Sequence, residues 1–299
     1  MREDKKFLIN NKELSGYIWN TDNYDKVMIL VHGMAEHILR YDGFANFLNQ
    51  NGFLVIGYNQ RGHKDTSPKE EYGYMGEEDN FEILVSDLNE IVKYAKTNYP
   101  NKKYYVLGHS MGSFVTNRFI EEYEKENQIS KVILCGTGRM PKLILSAGAF
   151  ICSFIRLFKG RKYRSKFMDN MSFGSYNNKF KPVRTPFDWL NTVDSEVDKY
   201  IADEDCGLIF TVTYFHDFLL GCKRVTNNQK YIRSDLPILL IAGSDDPVGG
   251  AGKDVTKLYE VQKKLGKNST LKLIEGNRHE ILLEKDKEST YNFILNFIK

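Results

Sequence analysis

An α/β fold, with a mostly parallel doubly wound sheet and an inserted helical cap, is predicted by three features of the chain. Short β-branched and aromatic runs alternate with segments of helical spacing at both ends. Several of the runs are apolar throughout, as strands are when helices cover both faces of a sheet. Between residues 138 and 234 the alternation stops, and helical and irregular signals stand without a clear strand.

The elements follow in order. Phe7 to Trp19 reads as a two-stranded antiparallel entry, and Val27–Val31 (VMILV) and Phe53–Tyr58 (FLVIGY) as buried strands. Phe81, Leu84, Val85, Leu88, Ile91, Val92 and Ala95 share one face of a long helix that ends near Pro100. Tyr104–Leu107 (YYVL) is the next strand. Phe114, Val115, Phe119 and Tyr123 mark a helix, and Val132–Cys135 (VILC) a strand. Ile238–Ala242 (ILLIA) and Leu271–Ile274 (LKLI) resume the strands, and Ile294, Phe297 and Ile298 lie on a last helix. Such alternation closes through right-handed crossovers. Residues 1–137 and 235–299 are therefore expected to form one core domain. Residues 138–234, too long for an unstructured loop, are expected to form an inserted cap over the carboxyl edge of the sheet.

Composition narrows the function classes. A chain of 299 residues can bury a large core without disulfides or a structural metal. The net charge of +3 is too small to imply nucleic-acid binding. Aromatic residues reach 13%, which suits a large core or a lipophilic pocket. Cys135, Cys152, Cys206 and Cys222 form no CxxC pair and read as reduced thiols. The charged start, MREDKKFLINNKEL, lacks the apolar stretch of a secretory signal, and no uncharged run approaches the ~18 residues of a membrane span. A cytoplasmic protein is expected.

The chemistry is carried by Gly108-His109-Ser110-Met111-Gly112, a G-x-S-x-G motif directly between a strand and a helix. So tight a turn forces strained backbone angles on Ser110, and Gly108 and Gly112 are needed where side chains would clash. The strain holds the hydroxyl outward, and the helix N-terminus behind it favours negative charge. Serine needs a base within reach. In a fold of this kind the partners follow as acid, then histidine. Of the two histidines after Ser110, His216 lies inside the cap, whereas His279 follows the LKLI strand, where a sheet edge delivers it. The acid belongs in Gly243-Ser244-Asp245-Asp246-Pro247-Val248. Asp246 fits a loop turning back toward His279 better than Asp245, which can cap or hydrogen-bond the loop. An oxyanion hole needs two backbone N–H groups, here Met111 after the nucleophile and Met34 after the VMILV strand, with Gly33 allowing close approach.

His32-Gly33-Met34-Ala35-Glu36-His37 also has the look of a metal motif, but it begins at a strand end rather than inside a helix. His32, Glu36 and His37 are better read as braces of the oxyanion loop. No metal or cofactor is called for.

Taken together, HGMAEH, the NQRGH segment Asn59–His63, GHSMGS, GSDDPV and GNRHEILLE resemble the monoacylglycerol lipase and lysophospholipase group of α/β-hydrolases, which is serine aminopeptidase-like. Phe187–Leu190 and Tyr200–Gly207 are similar to stretches at the end of that group's cap. The resemblance implies the α/β-hydrolase fold, with the serine, acid and histidine at Ser110, Asp246 and His279 and the second oxyanion donor at Met34. Two departures stand out. Asn59 replaces the usual aspartate and Lys64 a glycine, in a segment expected to brace the oxyanion loop. The cap pattern Trp189-Leu190-Asn191-Thr192-Val193-Asp194 also differs, and with it substrate choice.

The cap run Ala149–Phe158 is apolar, and Arg156, Lys159, Arg161, Lys162, Arg164 and Lys166 carry no acid among them. A cap helix over the site followed by a solvated basic loop accounts for this, and peripheral contact with an anionic bilayer is the alternative. The function implied is ester hydrolysis of a monoacylglycerol, lysophospholipid or similar ester through an acyl-enzyme on Ser110. An aminopeptidase of the same superfamily would need carboxylates in the cap to hold an amine, and Asp203, Glu204 and Asp205 leave that open. A non-catalytic ligand-binding scaffold would have no use for nucleophile, base and acid together.

Overall fold

The structure, a computed structural model, describes residues 1–76 and 79–299. Its sheet is built from β1 (Arg2–Ile9), β2 (Lys12–Trp19), β3 (Lys26–Val31), β4 (Phe53–Tyr58), β5 (Lys103–His109), β6 (Lys131–Cys135), β7 (Ile238–Gly243) and β8 (Ser269–Ile274), in the order β1-β2-β4-β3-β5-β6-β7-β8. β1 and β2 pair antiparallel, β2 lies antiparallel to β4, and all further pairs are parallel. Alternation along β3 divides the core. Val27, Ile29 and Val31 join the layer under α2 (Asn80–Asn98) and α3 (Met111–Glu122), while Met28 and Leu30 face the layer under α1 (Asp42–Gln50) and α10 (Lys287–Ile298).

The entry hairpin is longer than its apolarity suggests. β1 starts at Arg2, not near Phe7, because its first residues are held by the ladder from Arg2↔Trp19 onward while their side chains face solvent. The two turn residues, Asn10 and Asn11, both have positive φ, 47° and 58°, as a tight hairpin loop with the twist of its strands requires. Two helices escaped the sequence reading. α1 buries only Phe44, Ala45 and Leu48, and α9 (Lys253–Lys264) only Val255, Leu258 and Gln262, too few apolar positions to show a period. A short helix α4 (Glu124–Asn127) follows α3.

Between β6 and β7 the chain leaves the sheet and builds α5 (Lys142–Lys159), α6 (Lys166–Phe173), α7 (Asp194–Ala202) and α8 (Val212–Asn228). α8 packs on α2, α3 and α5. Gly221 lets it touch the core: a Cβ there would stand 2.2 Å from the Phe81 ring. α5 lays Leu145, Gly148, Ala149 and Cys152 against α8, and turns Leu143, Phe150, Phe154, Leu157 and Phe158 outward, Leu157 being 78% exposed. Among the described residues no helix is long and apolar enough to cross a membrane.

Candidate active site

Ser110 stands at the junction of β5 and α3 with φ 52° and ψ −123°, a conformation that L-residues avoid. Its N–H donates to Cys135 O (2.9 Å), and its carbonyl accepts from Ser113 N (2.8 Å) and Ser113 Oγ (2.6 Å), so the strain is held from three sides. The flanking glycines are there for contact. A Cβ on Gly108 would lie 2.2 Å from Gly112 O, and one on Gly112 2.3 Å from Val31 O. Here the turn squeezes β5, α3 and β3 together, which only glycine permits.

The loop after β8 delivers His279, and the loop after β7 delivers Asp246. Both are buried, and His279 Nδ1 lies 3.0 Å from each Asp246 carboxylate oxygen. Val248 N–H, donating to Asp246 Oδ1 at 2.8 Å, aims the carboxylate. Its neighbour Asp245 points away to an exposed ion pair with Lys179 at 2.5 Å. His216, on α8, pairs with Asp217 and does not line the cavity that Ser110 and His279 share. Ser110 Oγ and His279 are not directly hydrogen-bonded among the described residues, but both line one cavity. The ring of His109, the residue before Ser110, is centred 4.7 Å from that of His279, and the Trp189 ring 5.3 Å from it.

The loop after β3, residues 32–38, is engaged at almost every turn. Gly33 N–H donates to Glu36 Oε1 (2.6 Å), Ala35 N–H to His63 Nε2 (3.3 Å) and Ile38 N–H to Asn59 Oδ1 (3.0 Å). Met34 and Met111 keep their N–H groups free of hydrogen bonds among the described residues. His32 Nδ1–H donates to Gly33 O at 2.7 Å, and its Nε2 accepts from Gln60 N at 2.9 Å. Asn59 thus braces the loop by accepting from Ile38, and Lys64 ties to Asp205, in the segment between β6 and β7, at 2.6 Å. Burial drives the pKa of His32 down to about 4 and that of His63 to about 3, so both stay neutral acceptors.

A charged network underlies the loop, and sequence reasoning found only its Glu36. Glu36 accepts from Arg40 (2.9 Å), Tyr41 (2.8 Å) and His109 Nδ1 (3.1 Å), and Arg40 clamps Glu280 through two bonds of 2.5 and 2.9 Å. His109 Nε2 reaches His279 O at 3.2 Å. Burial opposes charge on His109, but Glu36 and then Glu280 outweigh it and raise its pKa; burial likewise opposes charge on Glu36, and His109 and Arg40 bring its pKa well below the usual range. Adjacency was the missed signal. His109 and Glu280 each neighbour a nominated residue, and Arg40 follows Glu36 by one helical turn.

His32, Glu36 and His37 do not converge on a common point: each is spent on a different partner, His37 on Asp203 at 2.7 Å. Another trio, His37, Asp203 and Cys206, brings its ligand atoms within 4.8 Å of one another. Burial keeps the Cys206 thiol protonated, and Arg40 and Lys64 already supply positive charge beside it.

The cavity has a volume of about 270 Å³. Ser110, Met111, Met34 and His279 lie on its core side. Phe114, Met140, Phe173, Trp189, Phe215 and Phe218 make it apolar, and Glu36, Arg40 and Glu280 form a polar end.

A strained serine on a strand-to-helix turn of a doubly wound sheet, with a buried carboxylate–imidazole pair brought in by the last two strand loops, defines an α/β-hydrolase. The chain belongs to the serine aminopeptidase S33 family, whose match runs over residues 22–286. It is 28% identical to the monoglyceride lipase of Rattus norvegicus over 282 residues, covering 94% of this chain and 83% of that one. It is 25% identical to a probable lysophospholipase L2 of Haemophilus influenzae over 276 residues, covering 87% and 79%. Among solved structures, a thermostable carboxyl esterase from Bacillus coagulans shares the fold with a TM-score of 0.90 at 23% identity, over 100% of this chain and 99% of that one. A soluble variant of the Saccharomyces cerevisiae monoglyceride lipase aligns with a TM-score of 0.77 at 19% identity, covering 100% and 94%.

Proposed function

We propose that the protein is a serine hydrolase of neutral lipid esters, above all monoacylglycerols. Ser110 Oγ attacks the acyl carbonyl and its proton passes to His279 Nε2, while Asp246 holds the imidazole tautomer and stabilises the imidazolium. The N–H groups of Met34 and Met111 take the oxyanion, the protonated His279 gives its proton to the leaving alkoxide, and water releases the acid by the same route. The observation that carries the reading is that the strained serine, His279 backed by the buried Asp246, and Met34 and Met111 with their free N–H groups border one apolar cavity. The monoglyceride lipase and lysophospholipase names of the relatives agree with it.

Charge favours a neutral head group over a phosphate. Arg40 is the one Lys or Arg lining the cavity among the described residues, and Glu36 and Glu280 neutralise it. On the cap side Asp169 adds a carboxylate with no partner among the described residues, its pKa raised by burial. A phosphate entering there would find no free cation and one more anion. Aminopeptidase activity is the weaker reading, because Asp203, Glu204 and Asp205 are committed to His37, Lys69 and Lys64 and do not line the cavity, which leaves Asp169 as a single uncommitted carboxylate where an amine site calls for a pair.

The exposed apolar face of α5, continued on α6 by Phe167 and Met171 and bordered by Lys142, Lys159 and Lys166, belongs to the same proposal as a surface resting on an anionic bilayer. Four free, buried cysteines suit a reducing, cytoplasmic location.

A fluorophosphonate probe followed by a substrate panel tests the core of this. Wild type should be labelled and Ser110→Ala not. Turnover should rank monoacylglycerol above lysophospholipid and leave aminoacyl-p-nitroanilides uncut. A folded, unlabelled wild type would mean a non-catalytic scaffold.

A further inference from the structure

The carbonyl of Ala35 is held by the cap. Ala35 follows Met34 directly and has φ 57°, a left-handed conformation that a residue with a Cβ does not keep without support. Its N–H is tied within the core, to His63. Its carbonyl accepts two hydrogen bonds, from Tyr200 Oη and from Gly207 N, both at 2.9 Å, and both donors lie on the cap. A third tie from the same cap segment reaches the loop two residues on, where Asp203 meets His37 at 2.7 Å. The Tyr200 ring is fixed in turn, with the Arg40 guanidinium 4.9 Å above it and Phe187 packed 5.1 Å away. Tyr200 and His37 are both buried.

We infer that Tyr200, acting through the Ala35 carbonyl, is a positioning residue for the Met34 N–H, and that the 200–207 segment of the cap is a working part of the oxyanion hole. The inference rests on the proposed role of Met34 as oxyanion donor. The Met34 N–H belongs to the Gly33–Met34 peptide, one peptide removed from Ala35; letting the Ala35 carbonyl turn out of its left-handed state pulls on the Met34–Ala35 peptide that His63 holds and, through Met34 Cα, tilts the Gly33–Met34 peptide that carries the donor. A donor that must meet a developing charge within about 0.3 Å does not tolerate that freedom. The cap therefore sets the geometry of the reaction as well as the shape of the acyl pocket.

Tyr200→Phe isolates the effect, because the ring that stacks on Arg40 and Phe187 stays and only the hydroxyl goes. One of two bonds on the carbonyl is lost, and the donor itself is not deleted. The expected loss in kcat is about 10-fold, smaller than the ~100-fold or more for removing a donor outright, with KM within about twofold. Affinity for an alkylboronic acid, which forms a tetrahedral adduct without any alcohol portion, should fall by the same factor as kcat/KM. The loss should be equal for methyl, p-nitrophenyl and glycerol esters of one fatty acid. A loss confined to the glycerol ester would overturn the inference, since the hydroxyl would then be touching the head group. So would a raised KM with unchanged kcat and boronate affinity. Asp203→Ala, which removes the anchor of His37, should give the same signature and serves if Tyr200→Phe does not fold. Absence of turnover and labelling in the wild type would refute the hydrolase reading itself and is distinguishable from either result.

Discussion

Asp245 and Asp246 are adjacent, chemically identical and differently placed. Asp246 is fully buried against His279, with Val248 N–H on one oxygen, whereas Asp245 reaches outward to Lys179. Pro247 and Val248 make the difference legible in sequence, because a chain turning at Pro-Val folds the residue before it inward and offers it an N–H two residues on. Under the proposed mechanism Asp246→Asn presents the wrong tautomer to the base and should lower kcat about 10⁴-fold. Asp245→Asn removes an exposed ion pair of about 0–1 kcal/mol and should leave kcat within roughly threefold. Measured on one p-nitrophenyl ester, comparable losses at both positions would remove the assignment of the acid.

α5 shows what periodicity does and does not reveal about an element. Its buried stripe joins Leu145 to the small residues Gly148, Ala149 and Cys152, which let α8 approach until Leu219 lies 2.9 Å from where a Gly148 Cβ would be. Its large aromatic residues face the other way. From sequence alone the run is simply apolar, since a helix with small residues inside and large ones outside inverts the usual pattern, and packing over the site is the natural reading. The exposed half, with Phe150 at 73% and Phe158 at 67%, is left uncovered by the described residues. If it rests on a bilayer, replacing Phe150, Phe154 and Phe158 together by serine removes three side chains worth about 1.5 kcal/mol each when fully inserted. Even half that amount weakens partitioning by roughly 50-fold. Co-sedimentation with anionic vesicles should report that loss while hydrolysis of a short soluble ester is unchanged. Equal sedimentation of wild type and triple variant would eliminate the bilayer contact.

At the scale of the whole molecule, the sheet was readable because its central strands are apolar on both faces and its elbow carries glycines that nothing else explains. The network of Glu36, Arg40, His109 and Glu280 was not, because it is assembled from three segments far apart in sequence and obeys no period. Such buried polar groups also bind the fold to pH. His32 and His63 are neutral acceptors with pKa about 4 and about 3, against an ordinary value near 6.5. Above about pH 6.5 neither state of the chain protonates them, and their neutral burial carries no penalty. As pH falls below that, the unfolded chain takes up protons that the folded one refuses. Each ring then costs about 1.4 kcal/mol per pH unit until its folded pKa is passed. His109, whose pKa is raised, acts in the opposite sense: its contribution is full at low pH and fades as pH rises. The net loss is therefore smaller than two histidines alone would give, and the informative quantity is a difference between variants. His63→Gln keeps an acceptor for the Ala35 N–H but cannot titrate. Its urea-unfolding free energy should fall less than that of wild type between about pH 7.5 and about pH 5, by about 2 kcal/mol. Parallel curves over that interval would mean that His63 is not buried as the neutral base its hydrogen bonds require, and that the loop of residues 32–38 is held without it.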